Sequence, residues 1–366
     1  AVTLSVRFIG DRSLPDKAID VIDEAGACQR VKNLTGKGKK NITVKDVEIV
    51  ISKMAQIPTV SISTDEAAKL QKLEANLKSN IFGQDHAVEE LCLALKLSKA
   101  GLRDPKKPLG CYLFSGPTGV GKTELARQLA HHLDMELVRI DMSEYMESHS
   151  VSRLIGTPPG YVGFDQGGLL TDAVSKSPYS VVLLDEIEKA HFNIYNLLLQ
   201  VMDYGKLTDN NGRAISFNNS IIIMTTNAGA ADINKSPLGF NNDSRPEANQ
   251  DQITKTFSPE FLNRLDSVIN FKQLADQTIV SIIDKFIKQL QDQLADKGVT
   301  ISISNAAKNY LSNIGYDKYN GARPIARIID EQIKKYLADE ILFGKLAKGG
   351  NVKVNVSKEK LNFNYA

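Results

Sequence analysis

The stretch Gly116-Pro117-Thr118-Gly119-Val120-Gly121-Lys122-Thr123 stands between a short apolar run, Cys111 to Phe114, and a segment in which Leu125, Leu129 and Leu133 recur every four residues. The run reads as a buried strand and the recurrence as the core-facing stripe of a helix. Between them, glycines allow the chain to curl so that backbone N–H groups converge at the mouth of the helix, where they and the helix dipole attract an anion. The stretch fits the phosphate-loop pattern G-x-x-x-x-G-K-[ST], which arises by chance in roughly one chain of this length per hundred. In such a loop Lys122 neutralises the β- and γ-phosphates of ATP, and the Thr123 hydroxyl ligates Mg²⁺.

Working outward, further short apolar runs occur at Leu137 to Ile140, Val181 to Leu184, Ile221 to Met224 and Val268 to Phe271. Continuous runs suit parallel strands covered on both faces, so the expected core is a doubly wound α/β fold with a parallel five-stranded sheet. Two runs end in polar residues. Val181 to Leu184 leads into Asp185 and Glu186, roughly 70 residues beyond the phosphate loop. Asp185 suits the outer shell of Mg²⁺ and Glu186 suits a base that polarises the attacking water, although strand-end acids also cap helices. The run at Ile221 leads into Thr225, Thr226 and Asn227, at the carboxyl edge where ligands lie in open α/β sheets. Asn227 could meet the attacking water or the γ-phosphate, or simply form a turn before Ala228 and Gly229. Periodicity alone leaves Arg264 and Arg323 as ordinary surface arginines.

The chain has 366 residues, 42% hydrophobic and 24% charged, with a formal net charge of +2. These values fit a globular protein of two or three domains and favour neither nucleic acid nor an anionic membrane as partner. Lys37, Lys39 and Lys40 sit beside Gly36 and Gly38 and read first as a solvated turn, with phosphate binding in reserve. Cys28, Cys92 and Cys111 lack metal-ligand spacing and read as reduced thiols, which with the missing signal peptide and missing apolar span points to the cytoplasm. The chain opens on Ala1 within structured sequence, and the expectation is a piece of a longer polypeptide.

Residues 1–57 hold a short helix over Leu14 to Ala27, with Ile19, Val21 and Ile22 on one side, and a second stretch through Val47, Ile51 and Met54. They are too few for an independent core. Residues 58–80 read as a polar connector with helical spacing at Leu70, Leu73 and Leu77. Residues 81–271 form the large domain and 272–366 a smaller α+β lid. In the lid, Ile279 to Leu294 trace one helix face ended by Gly298, and a second helix runs from Pro324 to Leu337. Strands are expected at Val299 to Ser304, Val352 to Val356 and Leu361 to Tyr365.

With these residues assembled, the chain resembles the AAA+ superfamily of P-loop NTPases, and more closely the second ATPase module of the Clp/Hsp100 unfoldases. The resemblance runs over nearly the whole chain, with residues 1–57 similar to the end of the small domain of a preceding module. It implies that Asn227 is sensor 1, Arg323 the lid arginine called sensor 2, and Arg264 the finger that reaches a neighbouring subunit's nucleotide in a homo-hexameric ring. It also implies that Ile81 and Phe82, with Gly83 and Gln84, pack against adenine. Gly160-Tyr161-Val162-Gly163 resembles the pore loop that grips substrate polypeptide, an aromatic on a glycine hinge, where the bare tetrapeptide would read as a turn with a packed tyrosine. Leu238-Gly239-Phe240, in a polar stretch from Ala231 to Gln252, resembles the tripeptide used for docking on the ClpP peptidase. Such a tripeptide arises by chance in roughly one chain in five. Leu262 stands where some relatives carry another arginine.

The reading is therefore an ATP-driven unfoldase that threads polypeptide into ClpP. The rivals are a ClpB-like disaggregase without a protease partner and a nucleotide-binding scaffold or switch. A nucleic-acid-handling role has no basic stripe to support it.

Overall fold

A computed structural model describes residues 1–9, 13–34, 41–55, 65–101, 103–104, 106–157, 167–228, 245–316, 321–347, 349–357 and 360–365. Lys37, Lys39 and Lys40, the tetrapeptide Gly160 to Gly163 and the tripeptide Leu238 to Phe240 lie outside the described residues.

Three helices open the chain: α1 (Val2–Phe8), α2 (Asp16–Leu34) and α3 (Val44–Met54). The structure separates the three residues that the sequence reading puts on one side of α2. Val21 is buried with Ala18 and Ala25, whereas Ile19 and Ile22 are exposed. Positions 18, 21 and 25 share a stripe by three-and-four spacing, and 19 and 22 belong to the next one. A capping box starts α3, with Thr43 and Asp46 each accepting from the other's backbone N–H.

The described part of the expected connector is α4 (Asp65–Asn80), which packs against α5 (Asp85–Lys99) and against the helix that follows the phosphate loop. Its Leu73 and Leu77 are buried in the same cluster as Val21, Val50 and Ile51. The N-terminal helices thus share one core with the large domain, as segments too short for a core of their own must.

The central sheet contains β1 (Gly110–Ser115) and β2 (Glu136–Asp141), which flank α6 (Lys122–His132). After α7 (Val151–Ile155) and α8 (Leu169–Lys176) come β3 (Ser180–Asp185) and α9 (Phe192–Tyr204). A small antiparallel hairpin, β4 (Lys206–Thr208) and β5 (Ala214–Ser216), precedes β6 (Ile221–Thr226). Then α10 (Arg245–Thr256) and α11 (Pro259–Leu262) lead to β7 (Ser267–Asn270). The five long strands pair in the order β2-β3-β6-β1-β7, all parallel, as the apolar runs imply.

Alternation along these strands explains why the runs are unbroken. Tyr112, Phe114, Val181, Leu183, Ile221 and Ile223 face one hydrophobic cluster, which also holds Leu125 and Leu129 of α6. Cys111, Leu113, Val182, Leu184, Ile222 and Met224 face the other, with Leu198, Phe257 and Phe261. Both faces are covered, so neither can be polar. Cys92 and Cys111 are buried free thiols, and burial pushes them up to about 11 and about 12. Both are therefore poor nucleophiles at neutral pH.

The lid begins with α12 (Asp276–Leu294) and β8 (Val299–Ile303), joined through Gly298 in the left-handed conformation. It continues through α13 (Asn305–Gly315), α14 (Arg323–Ile329), a π turn at Asp330–Lys334, and α15 (Lys335–Phe343). Strands β9 (Gly350–Ser357) and β10 (Lys360–Tyr365) complete it, β9 pairing parallel with β8 and antiparallel with β10. The sequence reading does not contain α13, whose Ala307 and Leu311 carry only a short apolar stripe. Among the described residues, no helix is long and apolar enough to cross a membrane.

Candidate active site

The carboxyl ends of β1, β3 and β6 open onto a cleft of about 390 Å³ that the lid closes from one side. The loop from Gly116 to Gly121 turns sharply out of β1. At Gly116, with φ of 148°, an added Cβ would meet the Phe271 carbonyl oxygen at 2.6 Å, so only glycine lets the loop pass the end of β7. The next five residues bring Lys122 to the first turn of α6, where its ammonium is buried. It donates to the carbonyls of Gly116 at 2.5 Å and Pro117 at 2.9 Å, and to Asn227 Oδ1 at 2.8 Å. Burial pulls this ammonium down to about 8, against the opposing pull of Glu188, Asp185 and Glu186. A polyphosphate would replace weak carbonyl partners with formal negative charge, the ligand such a desolvated cation is built for.

Asp185 ends β3 almost wholly buried. Thr123 Oγ1 lies 3.3 Å from each of its oxygens. A hydroxyl facing a carboxylate is a hard oxygen pair that suits Mg²⁺. Among the described residues, no group of three or more His, Cys, Asp or Glu could hold a metal ion. The ion would therefore depend on phosphate oxygens for much of its coordination, as Mg²⁺ in nucleotide sites does.

Glu186 follows in the left-handed region with φ of 57°, a strained conformation for a non-glycine residue. Its backbone N–H donates to Thr225 Oγ1 at 3.0 Å, and that hydroxyl donates to Asp185 Oδ1 at 2.5 Å. The turn is thereby locked, and the Glu186 carboxylate is held over the cleft in an ion pair with Lys189. The Asn227 backbone N–H donates to Glu188 Oε1 at 3.0 Å, tying the end of β6 to the segment after β3. Among the described residues, Glu188 Oε2 is buried without a hydrogen-bond partner.

Ile81 and Phe82 line the opposite wall with Ile282 and Phe286 of α12, an apolar surface of the kind a flat heterocycle would use. Gln84 staples the neighbourhood together. Its amide reaches the Val120 carbonyl at 3.4 Å and exchanges two hydrogen bonds with the Lys272 backbone, at 2.8 and 3.0 Å. From the lid, Ala322 N–H donates to the Gly119 carbonyl at 3.1 Å, which places Arg323 at the rim of the cleft. At Gly321, φ is 58° and an added Cβ would meet Thr118 O at 2.5 Å, so the lid rests directly on the phosphate loop. A second clasp runs from Lys285 of α12 to Glu124 Oε1 at 2.8 Å and to the Asn80 carbonyl at 2.9 Å. Burial pushes the Glu124 carboxyl up, but Arg127, Lys285 and Gln128 outweigh it and hold the group at about 2.

The cleft thus gathers Ile81, Phe82, Lys122, Thr123, Asp185, Glu186, Asn227 and Arg323, with Thr118, Gly119, Val120 and Gly121 of the loop. Gly116 and Pro117 contribute through their carbonyls. Arg264 is elsewhere. It pairs with Asp203 at 2.7 Å and Glu260 at 3.1 Å and does not line the cleft. Sequence reasoning missed Arg139, Thr225, Glu188, Lys285 and Glu124. Glu188 had a visible signal, a further acid just after Asp185 and Glu186. The others become site residues only through strand register and lid placement.

Comparison with known proteins places this geometry. The family described as "AAA domain (Cdc48 subfamily)" matches residues 107–268, "C-terminal, D2-small domain, of ClpB protein" matches 274–354, and "AAA lid domain" matches 1–78. A protein named "ClpA homolog protein" from Fuscovulum blasticum is 56% identical over 99% of this chain and 45% of its own length. "Negative regulator of genetic competence ClpC/MecB" of Bacillus subtilis is 38% identical over 97% of this chain and 52% of its own. "Chaperone protein ClpB" of Oceanobacillus iheyensis is 37% identical over 98% and 53%. The chain therefore spans about half the length of the curated relatives it matches. What the phosphate loop, the strand-end acids and the lid arginine imply chemically, these matches also say by descent: the chain belongs to the AAA ATPases of the Clp/Hsp100 kind, as a second ATPase module.

Proposed function

We propose that this chain hydrolyses ATP within a ring of like subunits and uses the energy to unfold and translocate protein. The single observation that carries the reading is the convergence of Lys122, Thr123, Asp185, Glu186, Asn227 and Arg323 on one cleft while Arg264 stays outside it. Among the described residues, groups suited to bind a nucleotide converge within one chain, and Arg264 pairs outside their cleft with Asp203 and Glu260.

Within the cleft, the loop N–H groups and Lys122 bind and orient the phosphates, and Ile81 and Phe82 receive the base. Bound through Thr123 and Asp185, Mg²⁺ would supply charge neutralisation across the phosphates. Glu186 accepts the proton of the attacking water, and Asn227 positions that water or the γ-phosphate. Arg323 reports the phosphates to the lid through its clasp on the loop. Arg264 completes the neighbouring subunit's site, which makes turnover dependent on assembly. Replacing Glu186 by glutamine removes the base but keeps the site's shape: turnover should fall at least about 100-fold while ATP still binds. Retained turnover in steady-state assays would overturn the base assignment.

For the substrate side, the proposal is that Tyr161 between Gly160 and Gly163 grips polypeptide in the ring pore, and that Leu238, Gly239 and Phe240 dock on a ClpP peptidase in the cytoplasm. The relative named ClpA homolog supports this reading. A second reading, a disaggregase without protease, is favoured by the relatives named chaperone protein ClpB. A pull-down with ClpP separates them: capture that is lost on deleting residues 238–240 supports docking, and no capture by the intact assembled chain supports the second reading.

A further inference from the structure

Arg139 lies on β2 directly beside Leu183 of β3, two residues before Asp185. Strand alternation places Arg139, Leu183 and Asp185 on the same face of the sheet. The guanidinium uses that position to hold this carboxylate: Nε and Nη2 both donate to Asp185 Oδ2, at 3.1 and 2.7 Å. The other oxygen, Oδ1, accepts from Thr225 at 2.5 Å, and Thr123 approaches both. The Asp185 side chain is 9% exposed, and both its oxygens are taken. Arg139 is 51% exposed and lines the nucleotide cleft, so its head can leave the carboxylate without being trapped in the core.

We propose that Arg139 is a built-in counter-cation for Asp185, one that keeps this buried carboxylate paired and oriented before the metal–nucleotide complex arrives and that competes with the metal for it. The inference rests on the reading of the cleft as a nucleotide and metal site. A buried carboxylate without a partner is costly, and a planar guanidinium is well suited to hold it in one orientation. A divalent cation needs a lone pair of the same carboxylate, and no lone pair on Oδ2 is free of the guanidinium's two N–H groups. Once released, Arg139 adds positive charge to the cleft that holds the phosphates.

Two effects of opposite sign follow from removing it. In Arg139→Gln, the affinity for Mn²⁺ at saturating ADP, read from the free-ion electron paramagnetic resonance signal, should rise about three- to tenfold because the competitor is gone. In the same variant, binding of a fluorescent ADP analogue in EDTA should weaken by a similar factor because a cleft cation is gone. Arg139→Lys keeps the charge on one ammonium and should retain more metal-free binding than Arg139→Gln. A purely structural role, in which Asp185 is misplaced, would weaken Mn²⁺ binding, and an unchanged or lowered Mn²⁺ affinity overturns the proposal. Failure of the wild-type chain to bind the ADP analogue with Mn²⁺ would instead sink the nucleotide-site reading, so the two failures are distinguishable.

Discussion

Two arginines of equal standing in the sequence end in opposite situations. Arg323, at the start of α14, is carried onto the phosphate loop by Gly321 and the Ala322 hydrogen bond to Gly119, and faces its own chain's cleft. Arg264, just past α11, is folded back on Asp203 and Glu260, away from that cleft. The difference teaches that one chain gathers Arg323 into its own cleft and leaves Arg264 outside it, which is the ground for the proposal that a neighbouring chain completes the catalytic site. A lid clasp supplies the first arginine in cis. The second is held on an acidic pair, Asp203 and Glu260, and under the proposed function it serves a phosphate on another molecule.

The sharpest way to break this contrast is Arg264→Ala. Turnover by the assembled protein should drop by about 1000-fold, in the range for arginine fingers, with ADP affinity unchanged. Mixing this variant with Glu186→Gln should restore part of the ATPase rate, since one variant keeps the finger and the other the base. Absence of any recovery in co-assembled rings would mean that Arg264 does not serve a neighbour. Arg323→Ala comes next: ADP affinity should fall about tenfold by titration, the scale of one charge-assisted hydrogen-bond set. An affinity loss as large in Arg264→Ala would erase the distinction between the two.

Gly321→Val tests the clasp that makes Arg323 a cis residue. A side chain there meets Thr118 O and requires φ of 58°, so the lid must lift, and nucleotide affinity should fall by several-fold, with about 1–3 kcal/mol of strain in a denaturant melt. The smallest expected effect concerns the second clasp, Glu124 with Lys285. Its folded carboxyl sits at about 2 against an ordinary 4.5, so its contribution is complete above about 4.5 and disappears as pH falls toward about 2. The stability gap between wild type and Glu124→Gln should be present at pH 7 and shrink across that acid window in urea melts. A gap that grows on acidification would have the wrong sign.

Legibility followed locality. The phosphate loop could be read because its loop, lysine and hydroxyl are contiguous, and Asp185, Glu186 and Asn227 because each stands at the end of an apolar run. Those runs also revealed the five parallel strands, since two covered faces leave no polar position. Hidden were the partners set by register: Arg139 is one residue in an ordinary strand until pairing with β3 lays it beside Asp185. The burial pattern of α2 was misjudged at Ile19 and Ile22, because one amphipathic helix does not say which of two adjacent stripes its neighbours will cover.

By itself, then, the amino-acid sequence determined which groups stand at the mouth of α6 and at the strand ends and where the sheet strands lie, because backbone curling, helix dipoles and two-sided burial are local consequences of residue type and spacing. Only the tertiary structure decided which arginine enters the cleft, which guanidinium pairs with Asp185, and how the lid grips the loop. Those are contacts between segments dozens or hundreds of residues apart, and no spacing along the chain encodes the strand register and domain placement that bring them together.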